Sequence, residues 1–388
     1  MTAASDLDCP GLSFLYVDTR GVAYLAYFAD TQYLNGADAM AVDGAGHLYV
    51  VENSGARLLK YQISDGANVW TIGEAGFHTP GEYTFDSPTD VELDSAGTIW
   101  VSDRHSLAQY DSSGTLLQEF PADAWNSGND HTHFDHPRGI TFDSAGRMYV
   151  SDYNNHRVQV YTFTVSGDPV YSTTIGVTGV SGADDAHFDG PAQLVTDSSD
   201  RLYVADSANN RVQRCEYSGG WTCATFDDDG LSFPFGLGID DSDDTLYISD
   251  NNNGRVKVCD TTGTCQEFTN VPNRPTDIVI DSSGGIYISD YNDCVVEEYN
   301  DSGGVVRTVV GVEGVPYTTD DSHLNGPYGI DVDADGNVYV GTEAGYRLVK
   351  MGSWSAGTPG VYGNTNQTFG SWWAGVRGVA VAPDGTIY

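Results

Sequence analysis

Apolar and polar positions alternate along most of the chain in runs of four to six residues. Gly139–Asp143 (GITFD) and Arg147–Asp152 (RMYVSD) are typical. The period is two and Val, Ile and Tyr dominate, which predicts short β-strands. The link between such runs reads DSAG, DSSG or DADG. Asp opens the turn and Gly takes the positive φ, so each link predicts a hairpin. A second turn rich in Asn and Asp follows (DYNNHR, DSANNR), then a third strand (RVQVY, RVKVC), a Gly-containing turn and a weaker fourth strand. No segment carries a 3.6-residue period of helical length.

This unit repeats. Copies lie near 37–61, 88–110, 137–161, 191–215, 234–259, 275–299 and 327–351. The Asp that opens the first turn recurs at positions 43, 94, 143, 197, 240, 281 and 333, with spacings of 51, 49, 54, 43, 41 and 52 residues. Such intervals fit four strands with their turns and are too short for independent domains. A four-stranded twisted sheet cannot bury both faces alone, whereas sheets stacked radially about an axis bury each other. The expected fold is therefore an all-β propeller of four-stranded antiparallel blades, one domain spanning 1–388.

The copy from Pro137 reads P-x-G-I-x-x-D-x-x-G-x-x-Y-V-x-D-x-x-N-x-R-V-Q-V and resembles the NHL repeat. The copies at 191, 234 and 327 agree well, while those at 37, 88 and 275 lack the Pro, the Arg, or the Arg and Gly. The resemblance covers roughly 37–351 and implies a propeller that hosts no single chemistry. VRGVAVAPDGTIY at 376–388 matches a first strand and the start of a second, and the segment 11–30 resembles second and third strands. Pairing of these termini in one composite blade predicts eight blades and a ring without open edges; seven blades is the alternative.

Charge narrows the partners. Seventeen Lys and Arg face 55 Asp and Glu in 388 residues, a net charge of −38. No phosphate-binding face can be assembled from so few cations, which excludes nucleic acid. No apolar run is long enough to span a bilayer. Asp outnumbers Glu 44 to 11, which fits either a saline habitat or a chain made largely of turns. The first residues, MTAASDLDCP, have no basic and no apolar signal-peptide region.

Cys215 and Cys223, and Cys259 and Cys265, bracket the expected third-to-fourth strand hairpins of adjacent blades. Cross-strand proximity predicts two local disulfides and with them an oxidising, extracellular or cell-surface setting. Cys9 and Cys294 remain unassigned. Asp152/Arg157, Asp206/Arg211, Asp250/Arg255 and Glu52/Arg57 recur five residues apart. Such repetition reads as a structural tie through charge-assisted hydrogen bonds.

Candidate chemistry is sparse. His133, His187 and His323 occupy equivalent positions before three first strands, a candidate zinc set with an open position. DVDADG at 331–336 resembles the front of a calcium loop, but position 342 is Thr, not Glu. Calcium or zinc are thus the cofactors the sequence admits, and neither is assigned. Peptide-amidating lyases among NHL-like propellers carry zinc histidines directly after the first-strand Pro. Here those positions are Asp38, Thr89, Arg138, Ala192, Phe235, Thr276, Tyr328 and Arg377, so the resemblance does not extend to that activity. The same positions, with Asp90, Gln193 and Asp277 next to them, are expected to ring the channel mouth. Asp38, Asp90, Arg138, Gln193, Phe235, Asp277, Tyr328 and Arg377 are the candidate ligand-binding residues. Segment 352–375 holds Trp354, Trp372 and Trp373, which suit either a glycan or the packing of a closing blade. GxSxG, HExxH, SxxK and P-loop motifs do not occur.

The expected function is a secreted or cell-surface scaffold that binds a protein, peptide or glycan without chemistry of its own. A propeller enzyme, such as a metal-dependent lyase or lactone hydrolase, is the first alternative. A subunit of an extracellular array, joined through an incomplete terminal blade to a further copy, is the second.

Overall fold

The computed structural model describes residues 16–17, 23–24, 37–42, 47–52, 56–62, 68–73, 85, 88–120, 127–240, 242–268, 273–280, 284–293, 295–300, 302–311, 327–332, 338–342, 347–351, 367–369 and 379–380. Among them, seven successive sheets each contain a meander of four antiparallel strands. Their inner strands are Ala37–Val42, Asp90–Leu93, Pro137–Phe142, Pro191–Thr196, Pro234–Asp240, Pro275–Ile280 and Pro327–Val332. The third blade is representative, with Pro137–Phe142, Met148–Asp152, Arg157–Phe163 and Pro169–Gly176 in that order outward. Each inner strand lies against the next, and that of the seventh blade lies against that of the first. The fold is a β-propeller.

The core sits between blades. The second strands Met148–Asp152, Leu202–Asp206 and Ile286–Asp290 are buried at every position because a sheet covers each face. Tyr149, Val158 and Val160 of the third blade pack on Leu194, Leu202 and Val204 of the fourth. Tyr203, Ala205 and Val212 of the fourth then pack on Leu237, Leu246 and Ile248 of the fifth. This is the burial that a single sheet cannot achieve.

The recurring Asp has a structural role in the turn that it opens. Asp143 Oδ1 accepts the backbone N–H groups of Ala145 (3.0 Å) and Arg147 (2.8 Å), and Oδ2 accepts the Tyr149 hydroxyl at 2.7 Å. Asp94 and Asp197 hold the same turn in their own blades. The backbone closes the turn through Gly146 N–H to Asp143 O, and Asp is selected because its side chain accepts the turn N–H groups that remain. On the same face, Ser144 and Ser198 each bond the next blade's turn through Asp200 and Asp244.

Both expected disulfides form, Cys215–Cys223 and Cys259–Cys265. Each joins residues directly opposite in a third and fourth strand. Val379–Ala380 pairs in parallel with the first inner strand, while Tyr16–Val17 pairs with Ala23–Tyr24 in a separate sheet. These described fragments of the two termini do not share a sheet. The rest of the expected composite blade lies outside the described residues, as do Cys9, Cys294 and the Trp-rich segment save for Gln367–Phe369.

Candidate functional site

Every inner strand that begins with Pro in the third to seventh blades has a register shift immediately after it. Pro137 pairs with Asp152, and the next paired residue is Ile140; the same slip separates Pro191 from Leu194, Pro234 from Leu237, Pro275 from Ile278 and Pro327 from Ile330. A bulge re-aims the residues it contains. Those residues include Arg138, Gln193, Phe235, Asp277 and Tyr328, five of the candidate ligand-binding positions.

Arg138 and Phe235 come from blades three and five, yet they approach one another across blade four. The Arg138 guanidinium lies 4.1 Å from the Tyr153 ring centroid and 5.8 Å from that of Phe235. Phe233 extends the aromatic surface, its ring 6.4 Å from Phe235 at 17°. Tyr153 fits because Gly190 stands beside it: a Cβ there would come within 2.9 Å of the ring. Among the described residues Arg138 has no hydrogen bond or carboxylate partner, so its described contacts are aromatic. Gln193 of blade four, half-buried with its backbone against Gly139, has no described hydrogen-bond partner either.

Asp90 and Asp277 stand two residues after the Pro of their repeats in blades two and six; Asp277 lies within the bulge, whereas Asp90 pairs with Ser102 in regular register. Asp90 Oδ1 accepts from Val91 N–H at 3.0 Å and Oδ2 from Ile140 N–H of the third blade at 2.8 Å. Asp277 Oδ1 accepts from Ile278 N–H at 3.0 Å and Oδ2 from Ile330 N–H of the seventh at 3.3 Å. Burial pushes Asp90 up to about 7, against these hydrogen bonds. Burial likewise pushes Asp277 up to about 8, and the Asp90 charge adds to the shift. Their mutual influence from blades two and six runs across the interior of the ring. In blades three and five the position is Gly; a Cβ at Gly236 would sit 2.5 Å from Thr276 O of the next blade. Glycine lets the neighbouring inner strand close in, whereas Asp spans the boundary with its side chain.

The recurring Asp/Arg pairs hold the loops that lead into the inner strands. Asp152 Oδ2 accepts from Arg157 Nε at 2.7 Å and from Asn155 Nδ2 at 2.9 Å, while Oδ1 accepts from Asp135 N–H at 2.7 Å. Arg157 then donates to the carbonyls of Asn129 (2.9 Å), Asp130 (2.7 Å) and His133 (2.8 Å). Asp206 and Arg211 repeat the arrangement in the fourth blade. The planar, five-donor guanidinium suits a loop that presents several carbonyls at once.

The NHL repeat profile matches residues 134–161 and 188–215. These segments carry the Asp152/Arg157 and Asp206/Arg211 ties.

The chain is a β-propeller that carries NHL repeats.

No curated protein matches the chain in sequence. Its fold is similar to that of selenomethionine-substituted virginiamycin B lyase from Staphylococcus aureus, with a TM-score of 0.59 and 17% identity over 80% of this chain and 92% of that one. A streptogramin B lyase gives a TM-score of 0.60 and 17% identity over 80% of this chain and 91% of that one. A catalytically inactive virginiamycin B lyase from Staphylococcus aureus with quinupristin gives 0.59 and 17% over 80% and 92%. Likeness at this identity is a likeness of fold.

Of the candidate zinc histidines, His133 and His187 sit in separate lead-in loops. His133 Nδ1 bonds Asp130 at 2.7 Å, and His187 Nδ1 bonds Asp184 at 2.6 Å. Hydrogen bonds from Thr132 N–H and then His133 hold Asp130 well below the usual carboxylate range. His323 and Arg377 lie outside the described residues, and Asp38 and Tyr328 are described in backbone only. Two groups of three donors do converge among the described residues: His105, Asp135 and His136, and Asp227 with Cys259 and Cys265. The second is closed to metal because its sulfurs form a disulfide. In its place Asp227 pairs with buried Lys257 at 2.6 Å. No helix of the described residues is long and apolar enough to cross a membrane.

Proposed function

We propose that the protein is a binding propeller whose channel mouth captures a carboxylate-bearing ligand, the acidic side chain of a peptide or protein or the uronic acid of a glycan. The observation that carries this reading is Arg138. In a chain of net charge −38, its guanidinium rests on Tyr153 and faces Phe235 with no described carboxylate beside it. A guanidinium stacked on aromatic rings keeps its in-plane donors for a planar anion. Gln193 supplies a further polar group, and Phe233 and Phe235 supply an apolar wall, the mixture found in small-ligand sites. Asp90 and Asp277 are largely protonated at mildly acidic pH, so they do not repel an anion there. The two disulfides favour a setting outside the reducing cytoplasm, at the cell surface or secreted.

Arrays of acidic peptides and uronate-bearing glycans, probed with wild type and Arg138→Ala, test the reading. Binding to a subset of acidic probes that disappears in the variant supports it. Binding unaffected by the substitution removes the mouth from the account.

One observation favours an enzyme instead. Asp90 and Asp277 titrate near neutrality, where a general acid or base works best. Lyase or lactone hydrolase turnover abolished by Asp90→Asn or Asp277→Asn would establish that reading.

A further inference from the structure

At the boundary of the second and third blades three donor-bearing side chains converge. His105 stands in the turn between Ile99–Asp103 and Ser106–Tyr110. Asp135 and His136 immediately precede the inner strand at Pro137. His136 Nδ1 lies 3.0 Å from Asp135 Oδ1, and His105 Nδ1 lies 3.8 Å from the same oxygen. The two imidazoles meet edge to face, 5.7 Å apart at 84°. One ligand atom from each of the three residues falls within 4.8 Å of the other two.

The scaffold fixes this arrangement from both sides. His136 N–H donates to Arg104 O at 2.9 Å, tying the lead-in loop to the turn that carries His105. Asp135 N–H donates to Asp152 at 2.7 Å, so the buried Asp152/Arg157 pair holds the carboxylate's backbone. Asn154 Nδ2 reaches both Asp135 Oδ1 and His136 Nδ1 at 3.1 Å. Asp135 Oδ1 thus lies within hydrogen-bond distance of His136 Nδ1 as well as Asn154 Nδ2, so the carboxylate and the imidazole nitrogen already face one another. Zinc bonds of about 2.0 Å place tetrahedral ligand atoms about 3.3 Å apart, a spacing bracketed by the His136–Asp135 and His105–Asp135 distances.

The next boundary shows what is special here. His156 Nδ1 lies 3.2 Å from Asp189 Oδ1, matching His105 and Asp135, but the third position is Gly190. There the Gly190 N–H simply donates to His156 Nδ1 at 3.2 Å. Gly190 and His136 share the left-handed backbone, with φ of 65° and 54°. The second and third blades thus place an imidazole where the next boundary uses glycine, against the local backbone preference.

We propose that His105, Asp135 and His136 form a binding site for a zinc-class divalent transition metal, with a fourth position open to water or a ligand. Two imidazoles and one carboxylate suit such an ion and are a poor set for calcium or magnesium, which take oxygen. The side chains are 13%, 33% and 42% exposed, which leaves an outer side for the fourth ligand. The site is independent of anion capture at Arg138, although it lies two residues away on the same lead-in.

The test uses the full chain stripped of metal with EDTA and titrated calorimetrically with zinc chloride. His136→Gly copies Gly190, relieves the left-handed strain and is expected to melt at or above the wild-type temperature without metal. His105→Ala removes the second imidazole from another blade. Wild type is expected to take one zinc ion per chain at this site, with binding weakened at least about 100-fold in either variant that keeps a cooperative melt, since loss of a group merely supporting a ligand costs 10–100-fold. Calcium and magnesium chloride are expected to give no heat that His136→Gly removes. Absence of zinc uptake by wild type, or wild-type affinity in the folded variants, overturns the proposal.

Discussion

The Asp90 carboxylate accepts the Ile140 backbone N–H at 2.8 Å, so an inner-strand amide of the third blade is satisfied by a side chain of the second. Asp277 does the same for Ile330 of the seventh blade, at 3.3 Å. Both carboxyls are fully enclosed, and this shapes the response of the protein to pH.

Burial raises Asp90 to about 7 and Asp277 to about 8, whereas an unfolded Asp titrates near about 3.9. Between about pH 4 and 8 the folded chain therefore holds protons that the unfolded chain has released. Stability from these groups is fully present below about pH 4 and is lost as pH rises through 7 and then 8. Urea titrations are expected to show falling stability from about pH 5 to 8, and Asp90→Asn or Asp277→Asn to flatten that slope by at most about 1.4 kcal/mol per pH unit each. Glu92, raised well above its ordinary value by burial and then by Asp90, has an enclosed Oε2 with no hydrogen-bond partner. Glu92→Gln is expected to act in the same direction. An unchanged slope in all three variants contradicts the assignment.

The recurring Asp/Arg ties differ in burial, and their substitution costs should follow. Arg157 is 1% exposed and Asp152 fully buried, while Arg255 is 22% exposed beside Asp250. Arg157→Ala leaves Asp152 charged without its partner and is expected to cost about 3–5 kcal/mol. Water can reach the Arg255 site, so Arg255→Ala is expected to cost about 1–2 kcal/mol. Equal losses in chemical denaturation would show that burial does not govern the tie.

The two disulfides close sequence separations of 8 and 6 residues. Loops this short restrict the unfolded chain modestly, so Cys215→Ser/Cys223→Ser and Cys259→Ser/Cys265→Ser are each expected to cost about 2 kcal/mol. A cooperative melt at lower temperature under reducing conditions is the expected result. Collapse of the whole transition on reduction would mean that the blade interfaces contribute far less than their burial implies.

The blades were legible because one strand pattern recurs with its turn residues. Asp143 and Asp197 act as turn closers, as their place before Ala-Gly or Ser-Asp implies, and the Cys pairs face each other because they flank one hairpin. The position of Arg138 was legible too, since it follows the Pro of the first strand. Its aromatic seat was not, because Phe235 lies two blades away and Tyr153 in a different turn. The histidines show the limit most clearly. His133 and His187 attract notice as equivalents, yet equivalent residues recur one blade apart around the ring. His105 and His136 meet because they come from different positions of neighbouring blades, where periodicity gives no signal. Glu92 is likewise invisible in a pattern that allows a polar residue at its position.

The central claim is anion capture by Arg138 at the channel mouth. Its most direct test is an equilibrium titration of the strongest acidic array ligand against wild type, Arg138→Lys and Arg138→Ala. The account predicts tightest binding by wild type, weaker binding by the Lys variant, which keeps the charge but not the planar fork, and at least about a tenfold loss in the Ala variant, equivalent to about 1.4 kcal/mol. Equal affinity of wild type and Arg138→Ala for that ligand would contradict it.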